Sequence, residues 1–398
     1  MLKINGFNQR VLENINRFKE IHKNDEPHSH YAVFDCDGTL FYGDTAYTTL
    51  ENTINNLNLL FNAEDLINEF FPLNRINAND QETINLFLKE HAYLKEKRFL
   101  SRNLDNYKRK TLWQNDPLFI DFKRNLYKLF DISYALNGYE DASYLMVSFF
   151  SGFSLKELTK LALLAFKNND ICLQNKYFKV NENNNEINNL TSLQPIMEMR
   201  NFIKELLKIG MDIYITSASP LEIVKGALSY YKFPSEIEVF GIGNTINKEG
   251  YISLKRDKEN YPCPIKMGKA FTIKNMIAPR HQNQGPSFVA GDSEGDVAFL
   301  TSFKDTEISL FLGKNTNKET SPLFKAIDYE QIQNLNLIDT LNCGDILFLS
   351  QGKDSIKQEL NSEERCPEKL NQDFSMEENF SSLKKIKPYL FYLGYKKL

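Results

Sequence analysis

Two aspartates, Asp35 and Asp37, close an apolar run (AVF, residues 32–34) and are followed by Gly38 and Thr39. Side chains of an extended strand alternate faces, so the two carboxylates point the same way. Two unit charges about 4 Å apart repel by roughly 4 kcal/mol at an effective dielectric of about 20. Either a cation sits among them or one of them keeps a proton, and both outcomes are chemistry rather than architecture. Three further segments carry complementary groups: TSAS at 216–219, KMGK at 266–269 and GDSEGD at 291–296. Together they supply carboxylates, a hydroxyl, an ammonium and glycines that let backbone approach a ligand. A carboxylate-rich set in a chain with 5 histidines favours a hard, oxygen-liking cation, Mg²⁺ before zinc.

The elements that must position these groups alternate. Short apolar runs at 31–34, 212–216, 238–242, 287–290 and 308–312 read as buried strands, the last of them as the final strand. Between them lie helices, one with its apolar stripe on Ile196, Met199, Ile203 and Leu206 and Gly210 placed to end it. Ser219 is expected to N-cap the helix after the second strand, with Pro220 in its first turn. A helix is expected over 270–277, and Lys248, Glu249 and Gly250 read as a hairpin turn. Such alternation predicts an α/β fold, a doubly wound parallel sheet covered on both faces, with ligands at the carboxyl ends of its strands. Residues 43–189 instead show helical spacing and many aromatics, in segments such as 64–71, 81–97, 118–129 and 155–166. NENNNEINN (181–189) reads as a linker. The division expected is a catalytic core from 1–43 and 196–352, a helical insertion at 44–195 and a polar tail at 353–398.

Bulk properties narrow the class. The chain has 398 residues, 42% hydrophobic and 25% charged, with a formal net charge of −4. That balance offers no basic field for nucleic acid. The 5 cysteines are scattered without a CxxC pair, which argues against a disulfide framework or a zinc ribbon. The N-terminus lacks a signal-peptide core and no apolar run is long enough to span a membrane, so a cytoplasmic protein is expected.

The four segments, in this order, resemble the signature of the haloacid dehalogenase (HAD) superfamily of aspartate-nucleophile phosphatases. The similarity runs from about 31 to 313 and is strongest over 31–44 and 196–300, including ITSASPLEIV, MGKAFTI and AGDSEGDVAFL. It is nearest the branch containing phosphoserine and phosphocholine phosphatases, where a helical cap is inserted after the first motif; here that insertion is longer than usual. The resemblance implies a HAD Rossmann-like core, Asp35 as nucleophile and Asp37 as general acid and base. It implies Mg²⁺ held by Asp35, the Asp37 carbonyl and Asp292. Ser217 and Lys269 would bind phosphate oxygens, Asp296 would support Lys269 or a metal-bound water, and Gly38 and Thr39 complete the first motif. Asp44 stands where phosphoserine phosphatases read a cationic substrate group.

Plainer readings stand beside these. Ser217 could cap a helix, relatives also carry an aspartate at the position of Asp44 for reasons other than substrate reading, and Lys266 competes with Lys269, which the GK-then-apolar-helix context favours. His28 and His30 could bind a metal but read more simply as solvated loop residues, and Cys36 reads as packing. The run 144–153 reads as helical core, and Trp113 with the lysines at 95–98 and 108–110 as a solvated face. The expected function is hydrolysis of a small phosphorylated metabolite. The alternative is a phosphotyrosine protein phosphatase, motivated by the large insertion and by a glutamate-rich C-terminus ending YLFYLGYKKL, which resembles tails of bacterial type IV secreted effectors exported without a signal peptide. A non-catalytic binding protein would not need all these positions, and phosphomutases carry smaller caps.

Overall fold

The computed structural model describes residues 6–100, 116–177, 193–313 and 321–352. Its centre is a six-stranded, wholly parallel sheet in the order β10-β9-β8-β1-β4-β5. The strands are β1 (Tyr31–Phe34), β4 (Asp212–Pro220), β5 (Glu238–Ile242), β8 (Phe288–Gly291), β9 (Ile308–Leu312) and β10 (Leu347–Gln351). Two antiparallel pairs stand apart: β2 (Phe41–Tyr42) with β3 (Gln194–Pro195), and β6 (Asn244–Ile246) with β7 (Ile252–Arg256). Crossover helices cover both faces, as parallel pairing requires.

Each central strand feeds two apolar layers by alternation. Ala32, Phe34, Ile213, Ile215 and Phe288 enter one cluster, whereas Tyr31, Val33, Tyr214 and Val289 enter the other. Fully burying a side chain the size of Phe34 contributes roughly 1.5–3 kcal/mol, so a one-residue slip, which exchanges the faces, is strongly disfavoured. The larger cluster continues into the helices that intervene between β2 and β3, through Leu50, Phe87, Phe122, Phe150 and Phe166. Those helices are Thr45–Asn55, Ala63–Phe70, Ala78–Leu100, Pro117–Asn137, Tyr139–Ser148 and Leu155–Tyr177. Tyr144, Phe149 and Phe150 of the aromatic run are fully buried.

The structure departs from the sequence expectations at four places. β4 runs to Pro220, with its pairing to β5 shifting between Thr216 and Pro220. Ser219 therefore caps nothing: the next helix, Leu221–Tyr230, starts without a side-chain cap, because the Ser219 hydroxyl donates to Asp37 Oδ2 at 2.6 Å. The expected 270–277 helix begins at Met267 and passes into a π-helical turn, Ile273–Ile277. The chain does not finish its sheet at 312, since β10 adds a parallel edge strand beside β9. As expected, Gly210 ends its helix in the left-handed region (φ +87°), and Gly250 turns the β6–β7 hairpin (φ +88°). Trp113, the lysines at 108–110, the 181–189 linker and the 353–398 tail lie outside the described residues. No described helix is long and apolar enough to cross a membrane.

Candidate active site

Strand register brings three of the four segments together. Phe34 pairs with Ala290 on one side and Ile215 on the other, and the Asp35 amide donates to the Ala290 carbonyl at 2.9 Å. The residues just past these pairs, Asp35, Ser217 and Asp292, must therefore emerge side by side at the carboxyl edge of the sheet. The fourth segment reaches them through the helix Met267–Thr272, whose Lys269 is 4% exposed.

Lys269 Nζ donates to Asp35 Oδ1 at 2.6 Å and to Asp296 Oδ1 at 2.5 Å. Carboxylate oxygens of Asp35, Asp292 and Asp296 lie within 4.8 Å of one another. Asp296 is fully occupied, because its Oδ2 also accepts from the Asp292 and Ser293 amides and the Ser293 hydroxyl. It fixes both the lysine and the turn that carries Asp292. The Thr39 hydroxyl donates to Asp35 Oδ2 at 3.2 Å, which orients that carboxylate. Gly38 is needed here: it sits at φ +80°, and a Cβ would lie 2.1 Å from Asp292 Oδ2. Gly268 meets a similar limit, since a Cβ there would fall 1.8 Å from the Cys263 carbonyl oxygen.

Asp37 is not one of these three carboxylates but lines one cavity with Asp35, Lys269 and Asp292. Its Oδ1 accepts from the Thr45 amide at 2.8 Å and its Oδ2 from the hydroxyls of Ser219 and Thr45. Ser217, 1% exposed, accepts from the Ser219 amide at 3.1 Å and lines the same cavity. Asp44 caps the helix Thr45–Asn55, accepting from the Tyr47 amide at 2.8 Å, and it also faces the cavity. Lys266 lies 3.7 Å from Glu294 and over the Tyr139 ring. Cys36 is fully buried in the apolar core.

The electrostatics follow from burial. Removal from water, then Asp296 and Asp292, pushes the Asp35 carboxyl well above the carboxylate range against the pull of Lys269. Burial works against the Lys269 ammonium, but Asp296 and Asp35 outweigh it and hold its pKa above that of an ordinary lysine. Burial also raises Asp37, in part offset by donation from Ser219 and Thr45. Asp35 and Asp296 share the Lys269 ammonium with Asp292 close by, a concentration of negative charge that a divalent cation would offset. An all-oxygen donor set suits Mg²⁺.

Asp44 gives a testable consequence. Burial, then Asp37, raises its carboxyl to about 8, whereas an unfolded aspartate titrates near about 3.9. Between those values the folded chain holds a proton that the unfolded chain has lost. Stability is then lost as pH rises from about 4 to about 8. Asparagine caps as well as aspartate but cannot ionise. In metal-free buffer Asp44→Asn should match the parent's Tm near pH 4 and exceed it by an increasing margin up to pH 8. A Tm difference that ignores pH contradicts this assignment.

The cavity over the cluster, about 560 Å³, is also lined by Tyr47, Phe130, Asp131, Tyr134, Tyr139 and Met146. A larger one, about 980 Å³, shares Tyr134 and Tyr139 but contains no aspartate, so the chemistry belongs to the smaller. Sequence reasoning missed the aromatic wall and the two residues that hold Asp37, Thr45 and Ser219. The second serine of ITSAS was the one available signal.

No protein-family model matches the chain, and no curated protein matches it. Solved structures do. A conserved protein of unknown function from Anaerococcus prevotii DSM 20548 superposes with a TM-score of 0.61 at 23% identity, covering 81% of this chain and 90% of its own. A protein of unknown function from Bordetella pertussis Tohama I gives 0.39 at 12% identity, over 77% and 96%. Cytosolic 5'-nucleotidase IIIB bound to cytidine gives 0.36 at 11%, over 99% and 95%. The first likeness establishes a shared fold; the other two superpose too loosely to carry an argument.

Proposed function

We propose that this chain is a HAD-type phosphatase, a Mg²⁺-dependent phosphomonoester hydrolase acting on a small phosphorylated metabolite. What supports this most is one arrangement: at the carboxyl edge of a parallel sheet, a buried lysine bridges Asp35 and Asp296 with Asp292 within a metal's reach. Few structural roles call for such concentrated like charge.

In this reading an Asp35 oxygen attacks phosphorus while Asp37 gives its proton to the departing alkoxide, leaving an aspartyl phosphate and an alcohol. Asp37, now ionised, takes a proton from water, the hydroxide attacks phosphorus, and Asp35 leaves as a carboxylate with inorganic phosphate released. The raised pKa of Asp37 keeps its acidic form available closer to neutral pH. Lys269 and Ser217 bind the phosphoryl oxygens, Thr39 orients Asp35, and Asp296 holds Lys269 in place. Asp35, the Asp37 carbonyl and Asp292 would hold Mg²⁺, which supplies charge neutralisation to the phosphoryl group. The helices between residues 44 and 195 act as a cap whose aromatic side receives the alcohol portion. The cavity of about 560 Å³ suits a metabolite-sized ligand.

The test is turnover of p-nitrophenyl phosphate with Mg²⁺ and with EDTA, followed by phosphometabolites and phosphotyrosyl peptides side by side. Turnover should appear only with the metal, and metabolites should be preferred. Metal-independent turnover would overturn the mechanism, and a preference for phosphopeptides would transfer the same chemistry to a protein substrate.

A further inference from the structure

At the opposite edge of the sheet lies a second convergence of donors. His22 ends the helix Gln9–His22, Asp25 follows on the next turn, and His30 directly precedes β1. His22 Nδ1 stands 2.7 Å and His30 Nε2 3.2 Å from the same oxygen, Oδ2 of Asp25. The remote nitrogen of each ring is anchored elsewhere. His22 Nε2 meets Glu307 Oε2 at 3.0 Å, and His30 Nδ1 meets Ser287 Oγ at 2.9 Å. Glu307 and Ser287 directly precede β9 and β8, so both anchors are built into the sheet. The His22 ring is buried (4% exposed) and packs against Phe18, its centroid 4.5 Å away.

We propose that His22, Asp25 and His30 form a zinc site, with Glu307 and Ser287 as its outer supports and a water completing the coordination. His22 Nδ1 and His30 Nε2 converge on one Asp25 oxygen, a cluster now closed by the His22–Asp25 hydrogen bond; a cation would take the place of that proton, leaving the ring protons on the anchored nitrogens. Ligating histidines characteristically give their other N–H to a carboxylate or another acceptor, and both rings here have such a partner. Two imidazoles and a carboxylate suit Zn²⁺ among common divalent ions. A tetrahedral ion with bonds of about 2.1 Å spaces its donors roughly 3.4 Å apart, so the site must open slightly. Asp25 can yield, since its side chain is 38% exposed. The ion would fasten the first helix to the start of β1, the strand that delivers Asp35. Its role is structural, and it is independent of the phosphatase reading.

The test uses the full chain carrying Asp292→Asn, to weaken metal binding at the other cluster. Zn²⁺ binding is followed by equilibrium dialysis and by Tm. One equivalent should bind, and a free concentration a hundred times Kd should raise Tm by about 5 °C. Adding His30→Gln or Asp25→Asn, both at partly exposed positions, should weaken binding at least about 100-fold and abolish the Tm shift. Glu307→Gln, which removes no ligand, should weaken it about 10- to 100-fold. Absence of binding, or unchanged Zn²⁺ affinity in folded His30→Gln and Asp25→Asn proteins, overturns the proposal.

Discussion

Asp35→Asn is expected to lower kcat by on the order of 10⁵-fold or more, the scale seen when a covalent nucleophile is deleted. The amide keeps the shape of the carboxylate and still accepts from Lys269, yet it cannot attack phosphorus. Folding should survive. Asp35 is a buried group pushed toward its neutral form by burial and by Asp296, so removing its charge relieves repulsion while Lys269 keeps Asp296. Tm should therefore be unchanged or higher. A folded variant retaining more than about a hundredth of parental kcat, on the scale of nucleophile deletions, means the nucleophile lies elsewhere.

Lys269→Met tests the other half of the site and should do the opposite to stability. The ammonium is 4% exposed and holds two carboxylates within hydrogen-bond distance. Without it, Asp35, Asp292 and Asp296 remain within 4.8 Å of one another, and Asp35 and Asp296 lose the ammonium they share. Breaking a buried pair from one side costs about 3–5 kcal/mol, a fall in Tm of roughly 4–8 °C for a chain of this size. The loss should deepen as pH rises, because burial favours the protonated form of Asp35 and the lysine no longer opposes it. Mg²⁺ should restore part of it. The kcat should fall about 10²- to 10³-fold with the loss of transition-state charge neutralisation. A neutral-pH Tm equal to that of the parent would mean that Lys269 is not the counterion of the cluster.

Much of this arrangement was legible in the residues because it depends on local rules. Apolar strands of four or five residues ending in polar clusters announce a parallel sheet, and parallel register then brings positions 35, 217 and 292 together without further information. What was not legible depends on competition between distant groups. Ser219-Pro220 is a sound helix-cap signal, but the hydroxyl bonds to Asp37, 182 positions away in sequence. The strand Leu347–Gln351 follows a short helix and a Gly-Asp turn in a stretch with little strand punctuation, and it is stabilised by groups distant in sequence: β9 beside it, Glu330 and Asn8. The aromatic wall is drawn from separate helices, Tyr47 from one, Phe130 and Tyr134 from another and Tyr139 from a third. Their common facing is set by long-range packing. His30 looked solvated in the string PHSH, whereas its partners arrive from Asp25 and from the start of β8.

The proposed reaction requires a covalent bond between Asp35 and phosphorus. Asp37→Asn slows breakdown of that species by removing the group that activates water, so a reactive aryl phosphate with a good leaving group should still load the enzyme. Intact-mass measurement after an acid quench should show one added phosphoryl group of about 80 Da on Asp37→Asn, mapping to Asp35, and none on the Asp35→Asn, Asp37→Asn double variant. An unmodified mass in Asp37→Asn under conditions where the aryl phosphate is consumed, or a label on any other residue, would contradict it.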